Sequence, residues 1–187
     1  MRRMGAFKDS MCSFGLKPQK SASGAWTGFA ARARVLVYNK NRVPEADRPR
    51  SIRDLAHERF RGEAAISDPL FGTMATHAGA LRARLGATEM EDLFRAFVSN
   101  GVKVLPGNSV VRDRVASGEL RCGLTDTDDA SVALARGMPI GVVFPDQDTP
   151  YPGLSGPLGT FVFPNTVALI AGLWKGMIEP IAKRKRS

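Results

Sequence analysis

A chain of 187 residues with 43% hydrophobic content is long enough to bury one sizeable core, and its composition is that of a globular protein rather than a fibrous or disordered one. The net charge of +9 at pH 7 sits at the ends: residues 1–40 carry +7 and residues 175–187 carry +4, which leaves −2 for residues 41–174. With no basic helix and no aromatic-stacking pattern beside it, this charge reads as solvated tails, and a nucleic-acid partner is set aside.

Cys12 and Cys122 lie far apart, lack a metal or redox spacing, and read as reduced thiols. No apolar run follows Arg2 and Arg3, so the N-terminus as written is not expected to act as a secretory signal. The longest apolar stretch, Val162 to Trp174, contains Pro164, Asn165 and Thr166 and is too short and polar to span a bilayer.

Residues 1–25 show no periodicity and are expected as a loop or disordered tail. Ala33 to Tyr38 (ARVLVY) is the first predicted strand. Ser51, with Asp54 three residues on, predicts an N-capped short helix through Ala56. Glu63 to Ser67 is a short strand, and Asp68 to Thr73 a turn. A helix follows, with Met74, His77, Ala78, Leu81 and Leu85 on one face, stopped by Gly86. Thr88 and Glu91 predict a capping box for the next helix, whose stripe is Met90, Leu93, Phe94 and Phe97. Val102 to Leu105 reads as a strand, Asn108 as the cap of a helix Ser109 to Ser117, and Leu120 to Leu124 as a strand. Ala130 to Ala135 is helix-compatible, Ile140 to Phe144 is a strand, and Leu158 to Phe163 a last strand before a basic tail. This alternation predicts an α/β sandwich: a mostly parallel sheet flanked by helices.

The stretch Gly123 to Ala130 (GLTDTDDA) delivers Asp126, Asp128 and Asp129 where a strand gives way to a helix. One carboxylate at a helix start is ordinary capping. Three repel one another, and the repulsion asks for a cation or hydrogen-bond donors close by. Three successive strand-to-helix turns carry small polar groups: Gly72-Thr73, Asn108-Ser109 and Thr125 to Asp129. If the strands lie side by side, all three open on one edge, at the carboxyl ends where ligands of such sheets gather. Helix N-termini there would hold an anion with Thr73 and Asn108, and the carboxylates a hard cation or the cationic part of a ligand.

The strings WTGFAARARVLVYN, PLFGTMATHAGAL, GNSVVRDRVASGEL, GLTDTDDA, PDQ and LGTFVFPNTVAL occur in one order over residues 26–170. That order resembles the ferric-iron type of periplasmic solute-binding protein, which serves ABC importers. The resemblance implies a type 2 periplasmic-binding fold, in which two α/β lobes close on a ligand. It also implies no enzymatic activity, a periplasmic location, and delivery to a membrane permease. The chain matches one lobe with its crossover strands. By the resemblance an upstream first-lobe segment and an export signal are expected and have no counterpart, which reads as a truncated or mis-started longer gene or else a natural single-lobe protein; expressed as written, the chain is expected in the cytoplasm. Residues 1–25 and 171–187 then flank the lobe as tails.

Carried over by position, Gly72 and Thr73 match the turn that holds a synergistic anion, and Asn108 matches an anion-contacting Asn. Asp126 stands where such an Asn often sits. Asp128 and Asp129 replace the tyrosine pair of iron-binding members, leaving a metal or other cationic solute to bind carboxylates. The resemblance implies no cofactor, with ferric iron as a transported ligand.

The residues also carry blander roles. Capping alone accounts for Thr73 and Asn108, a packed core for His77, Trp26 and Phe29, solvation for His57, and loop chemistry for Asp146 and Asp148. A rival reading takes Leu124 to Asp128 as the start of a magnesium-dependent aspartyl-phosphate phosphatase, with Asp126 as nucleophile and Asp128 as acid/base. A third is a truncated relic that binds nothing.

Overall fold

The computed structural model describes residues 21–22, 25–148 and 150–168. The strands are β1 (Trp26–Asn39), β2 (Ala64–Ser67), β3 (Lys103–Leu105), β4 (Cys122–Asp126), β5 (Ile140–Val143) and β6 (Val162–Ala168). The helices are α1 (Gly72–Leu85), α2 (Ala87–Ser99), α3 (Asn108–Ala116) and α4 (Thr127–Ala135), and 3₁₀ turns occupy Glu45–Asp47, Ile52–Ala56 and Glu58–Phe60. The chain forms two compact units. One is Arg32–Val162; the other holds the described residues on either side of it, among which Phe29 is exposed rather than packed. The expected tails beyond these residues, with Cys12, lie outside the described residues.

The sheet order is β3-β2-β4-β1-β5, with β6 paired to β1. β2 runs parallel to β3 and to β4, while β1 runs antiparallel to both β4 and β5. The sheet is therefore mixed: β2, β3, β4 and β5 share one direction, as expected, and β1 runs against them. Alternation along β1 splits its side chains between two cores. Leu36 and Tyr38 join Ile66 and Leu124 under Met74 and Leu81 of α1, Leu93 and Phe97 of α2, and Ile52, Leu55 and Phe60. Val35 and Val37 join Ala65 under Val111 and Val115 of α3 and Ala130 and Ala133 of α4. Two helical layers thus enclose one sheet.

The Ser51–Asp54 capping box forms as predicted: Ser51 Oγ accepts from Arg53 N–H at 3.1 Å, and Asp54 Oδ2 from Ser51 N–H at 3.1 Å. The Thr88–Glu91 box does not. α2 already begins at Ala87, so Thr88 sits inside its first turn, and Gly86 (φ 87°) both ends α1 and precedes α2. β4 lies two residues later than predicted, because pairing with β1 carries Thr125 and Asp126 into the sheet. The last strand is Val162–Ala168 rather than Leu158 to Phe163.

α3 reaches the sheet only because position 123 has no side chain. A Cβ there would lie 2.4 Å from Val111 Cγ1 and 3.1 Å from the Ala65 carbonyl oxygen, and the second neighbour is backbone. Gly123→Ala is expected to destabilise the fold by about 1–3 kcal/mol through overpacking. Urea unfolding checks this, and Val111→Ala in the same chain should restore part of the loss.

His77 is packed, as expected: it is buried, with its ring centroid 4.9 Å from that of Phe161. Burial, aided by the charge of Arg34, lowers its pKa from 6.5 to about 3. The unfolded chain takes up a proton near pH 6.5 that the folded chain refuses until about pH 3. The unfolded state thus binds more protons across that window, and stability falls as pH drops through it. Denaturant midpoints followed from pH 7 to pH 3 should show this decline, and His77→Leu should flatten it.

Candidate functional site

Because β2, β3 and β4 are adjacent and parallel, their carboxyl ends share one edge, and α1, α3 and α4 all start there. Thr73 is the second residue of α1, Asn108 the first of α3, and Asp126 the last of β4. The structure brings all three together. Thr73 Oγ1 donates to Asp126 Oδ2 at 2.7 Å, and Asn108 Nδ2 donates to the same oxygen at 2.9 Å and lies 2.8 Å from Thr73 Oγ1. Ser67 Oγ at the end of β2 donates to Asn108 Oδ1 at 2.7 Å. Gly72 opens α1 at φ 58°, a left-handed turn that suits glycine, and is exposed.

The residue at the centre of this group is Arg34, which the sequence reading passed over. Its side chain is wholly buried, as is that of Asp126, which faces it directly across the β1–β4 ladder. Arg34 Nη1 donates to Asp126 Oδ1 at 2.6 Å, to Asn108 Oδ1 at 3.0 Å and to Thr73 Oγ1 at 3.3 Å. Burial pulls the guanidinium below its ordinary pKa, and the Asp126 carboxylate opposes that pull. The available signal was an arginine two residues from Leu36 and four from Tyr38, hence on the same strand face.

Capping does not explain these side chains. The N-cap residues of α1, α3 and α4 are Phe71, Gly107 and Asp126, and none of the three accepts a capping hydrogen bond through its side chain. Asn108, expected as a cap, lies one residue inside its helix. The polar groups of this edge bond to one another instead.

Asp126, Asp128 and Asp129 each place a carboxylate oxygen within 4.8 Å of the other two. Their repulsion is met by arginines. Arg34 pairs with Asp126, Arg32 Nη1 lies 3.2 Å from Asp128 and 3.6 Å from Asp126, and Arg112 Nη1 lies 3.3 Å from Asp129. Three acids thus face three guanidiniums. Burial, then the charge of Asp128, raises the Asp129 pKa, against the pull of Arg112. Asp128 is the most open of the three, with half its side chain exposed. Arg32 and Arg112 were also absent from the sequence reading, since nothing local distinguishes them from surface arginines.

The phosphatase alternative needs Asp126 to reach a substrate. Its side chain has no exposed surface; Oδ1 accepts from Arg34 and Oδ2 from Thr73 and Asn108, so no oxygen is poised to attack. Asp146, expected as a loop acid, is buried and accepts from Ile52 N–H at 3.2 Å, which ties its loop to the second 3₁₀ turn.

The family described as bacterial extracellular solute-binding protein matches residues 6–147. Iron uptake protein A1 of Synechocystis sp. is 29% identical over 140 residues, which is 69% of this chain and 38% of that protein. The Fe(3+)-binding periplasmic protein of Serratia marcescens is 31% identical over 110 residues, 58% of this chain and 32% of its own. Iron-bound HitA from Pseudomonas aeruginosa shares the fold, with a TM-score of 0.65 at 21% identity over 87% of this chain and 55% of HitA. A Trichodesmium protein in complex with iron and citrate does so with a TM-score of 0.62 at 24% identity, over 87% of this chain and 52% of its own. The chain thus spans about a third of the length of these sequence relatives and about half of that of the solved structures. Since the family match runs from residue 6 to residue 147 and takes in the whole Arg34–Asp126 assembly, this chain belongs to the bacterial extracellular solute-binding proteins.

Proposed function

We propose that this chain supplies one solute-binding lobe of an ABC importer's receptor, periplasmic and non-catalytic, which takes ferric iron or a similar hard cation at Asp128 and Asp129. The observation that carries this reading is the meeting of three helix starts and three carboxylates on one sheet edge. Thr73, Asn108 and the Gly72 turn serve negative charge there, and Asp128 and Asp129 serve positive charge. The names of the relatives, an iron uptake protein and an Fe(3+)-binding periplasmic protein, favour ferric iron as the solute. Delivery would be to a membrane permease.

Carboxylates suit a hard cation. An incoming cation must displace Arg32 from Asp128 and Arg112 from Asp129, at present separations of 3.2 and 3.3 Å. Affinity for the isolated lobe is therefore modest, because these pairs oppose entry and a single lobe does not enclose its solute.

Calorimetric titration with ferric citrate tests the proposal. The wild-type chain is expected to bind, and Asp128→Ala/Asp129→Ala to bind at least about tenfold more weakly, a loss of about 1.4 kcal/mol or more. An unchanged isotherm in the double variant would sink the reading. Arg32→Ala should act the other way and tighten binding several-fold, because it removes a positive charge that competes for Asp128.

A further inference from the structure

We propose that Asp126 is a resident anion: its carboxylate fills a seat that would otherwise hold a free small carboxylate, so this lobe accepts a cation without recruiting an anion from solution. The seat is defined by donors from three separate elements. Arg34 of β1 approaches Oδ1 at 2.6 Å, while Thr73 of α1 and Asn108 of α3 approach Oδ2 at 2.7 and 2.9 Å. Arg32, also on β1, adds a second guanidinium 3.6 Å from Oδ2. Both oxygens of one planar carboxylate are thereby engaged, which is how a bound carboxylate is held.

These donors are organised among themselves as well as by Asp126. Asn108 Nδ2 lies 2.8 Å from Thr73 Oγ1, and Asn108 Oδ1 accepts from Arg34 at 3.0 Å and from Ser67 at 2.7 Å. The seat therefore keeps much of its shape when its occupant changes.

The Asp126 side chain does not cap α4 although it stands at the N-cap; both of its oxygens go to the donors of the seat. Its partner Arg34 is wholly buried, and a buried guanidinium left without a carboxylate is strongly destabilising. A chain with a neutral residue at 126 must find that charge in solution. Here it is attached to the backbone, at an effective concentration that a free ion does not match.

The cation half of this inference rests on the proposed solute-binding function; the anion half is tested with no cation present. Thermal unfolding of the wild type, Asp126→Ala and Asp126→Asn is measured in sodium formate and in sodium chloride at equal ionic strength. The wild-type midpoint should be the same in both salts. The Asp126→Ala midpoint should fall in chloride and rise with formate concentration, as it does for a ligand that binds only the folded state. If Asp126→Ala does not fold in chloride, recovery of its helical circular dichroism in formate is the supporting result. Formate that shifts the wild type as much as the variants, or that rescues neither variant, overturns the proposal.

A second arm uses terbium luminescence. Wild-type affinity for terbium(III) should be independent of formate, whereas Asp126→Ala, which empties the seat, should gain at least about fivefold when formate is added. A wild type whose terbium affinity rises with formate would overturn anion independence. Terbium binding absent from every variant, with formate rescue intact, would count against the solute-binding reading and leave the resident anion standing.

Discussion

The buried Arg34–Asp126 pair governs the sheet edge at which three helices start. Two charges removed from water are tolerated only when geometry and extra hydrogen bonds compensate their lost hydration. Here Thr73 and Asn108 add those bonds, and Met74 Sδ lies 3.2 Å from the second guanidinium nitrogen. The pair also constrains pairing in the sheet. Arg34 and Asp126 are direct partners across antiparallel β1 and β4. A slip of one residue would turn Arg34 onto the face lined by Val35 and Val37, where an unpaired guanidinium has no place.

From this constraint follows the character of the edge above it. Thr73 and Asn108 stand at the starts of α1 and α3, where small polar residues usually cap. Both are instead turned toward the ion pair, and the N-caps of α1, α3 and α4 make no side-chain capping bond. Three helix starts thus face one edge with backbone donors that no N-cap side chain covers. Beside them, Asp128 and Asp129 are restrained by Arg32 and Arg112 rather than left to repel each other. The edge is electrically balanced, yet its charges are held by pairs of unequal exposure. Asp126 is sealed, and Asp128 is half open.

Other buried polar groups fasten the long connections in a similar way. Asn39 Nδ2 donates to the Val115 carbonyl at 2.7 Å, and Asn100 Nδ2 donates to the carbonyls of Leu55 and His57 at 2.9 Å each. Asp146, at φ 59°, receives the Ile52 N–H. Each satisfies backbone groups at helix ends or in turns that would otherwise be left unpaired in the interior. The loops around the sheet are in this sense part of the core.

Local patterning in the chain was enough for the alternation of strands and helices, the Ser51–Asp54 box, the buried stripe of α2 and the meeting of three polar turns. Each of these depends on neighbours within a few residues, or on the rule that parallel strands end together. The extent of β4, the idle Thr88–Glu91 pair and the role of Arg34 were settled only by the fold. Thr125 and Asp126 belong to a strand because β1 lies beside them, and Thr88 caps nothing because α2 begins one residue earlier. Arg34 meets its carboxylate 92 positions along the chain. An arginine in a short apolar run has the same local signature whether it ends in water or in an ion pair; burial and charge pairing are properties of the packed sheet, decided by which strand lies opposite.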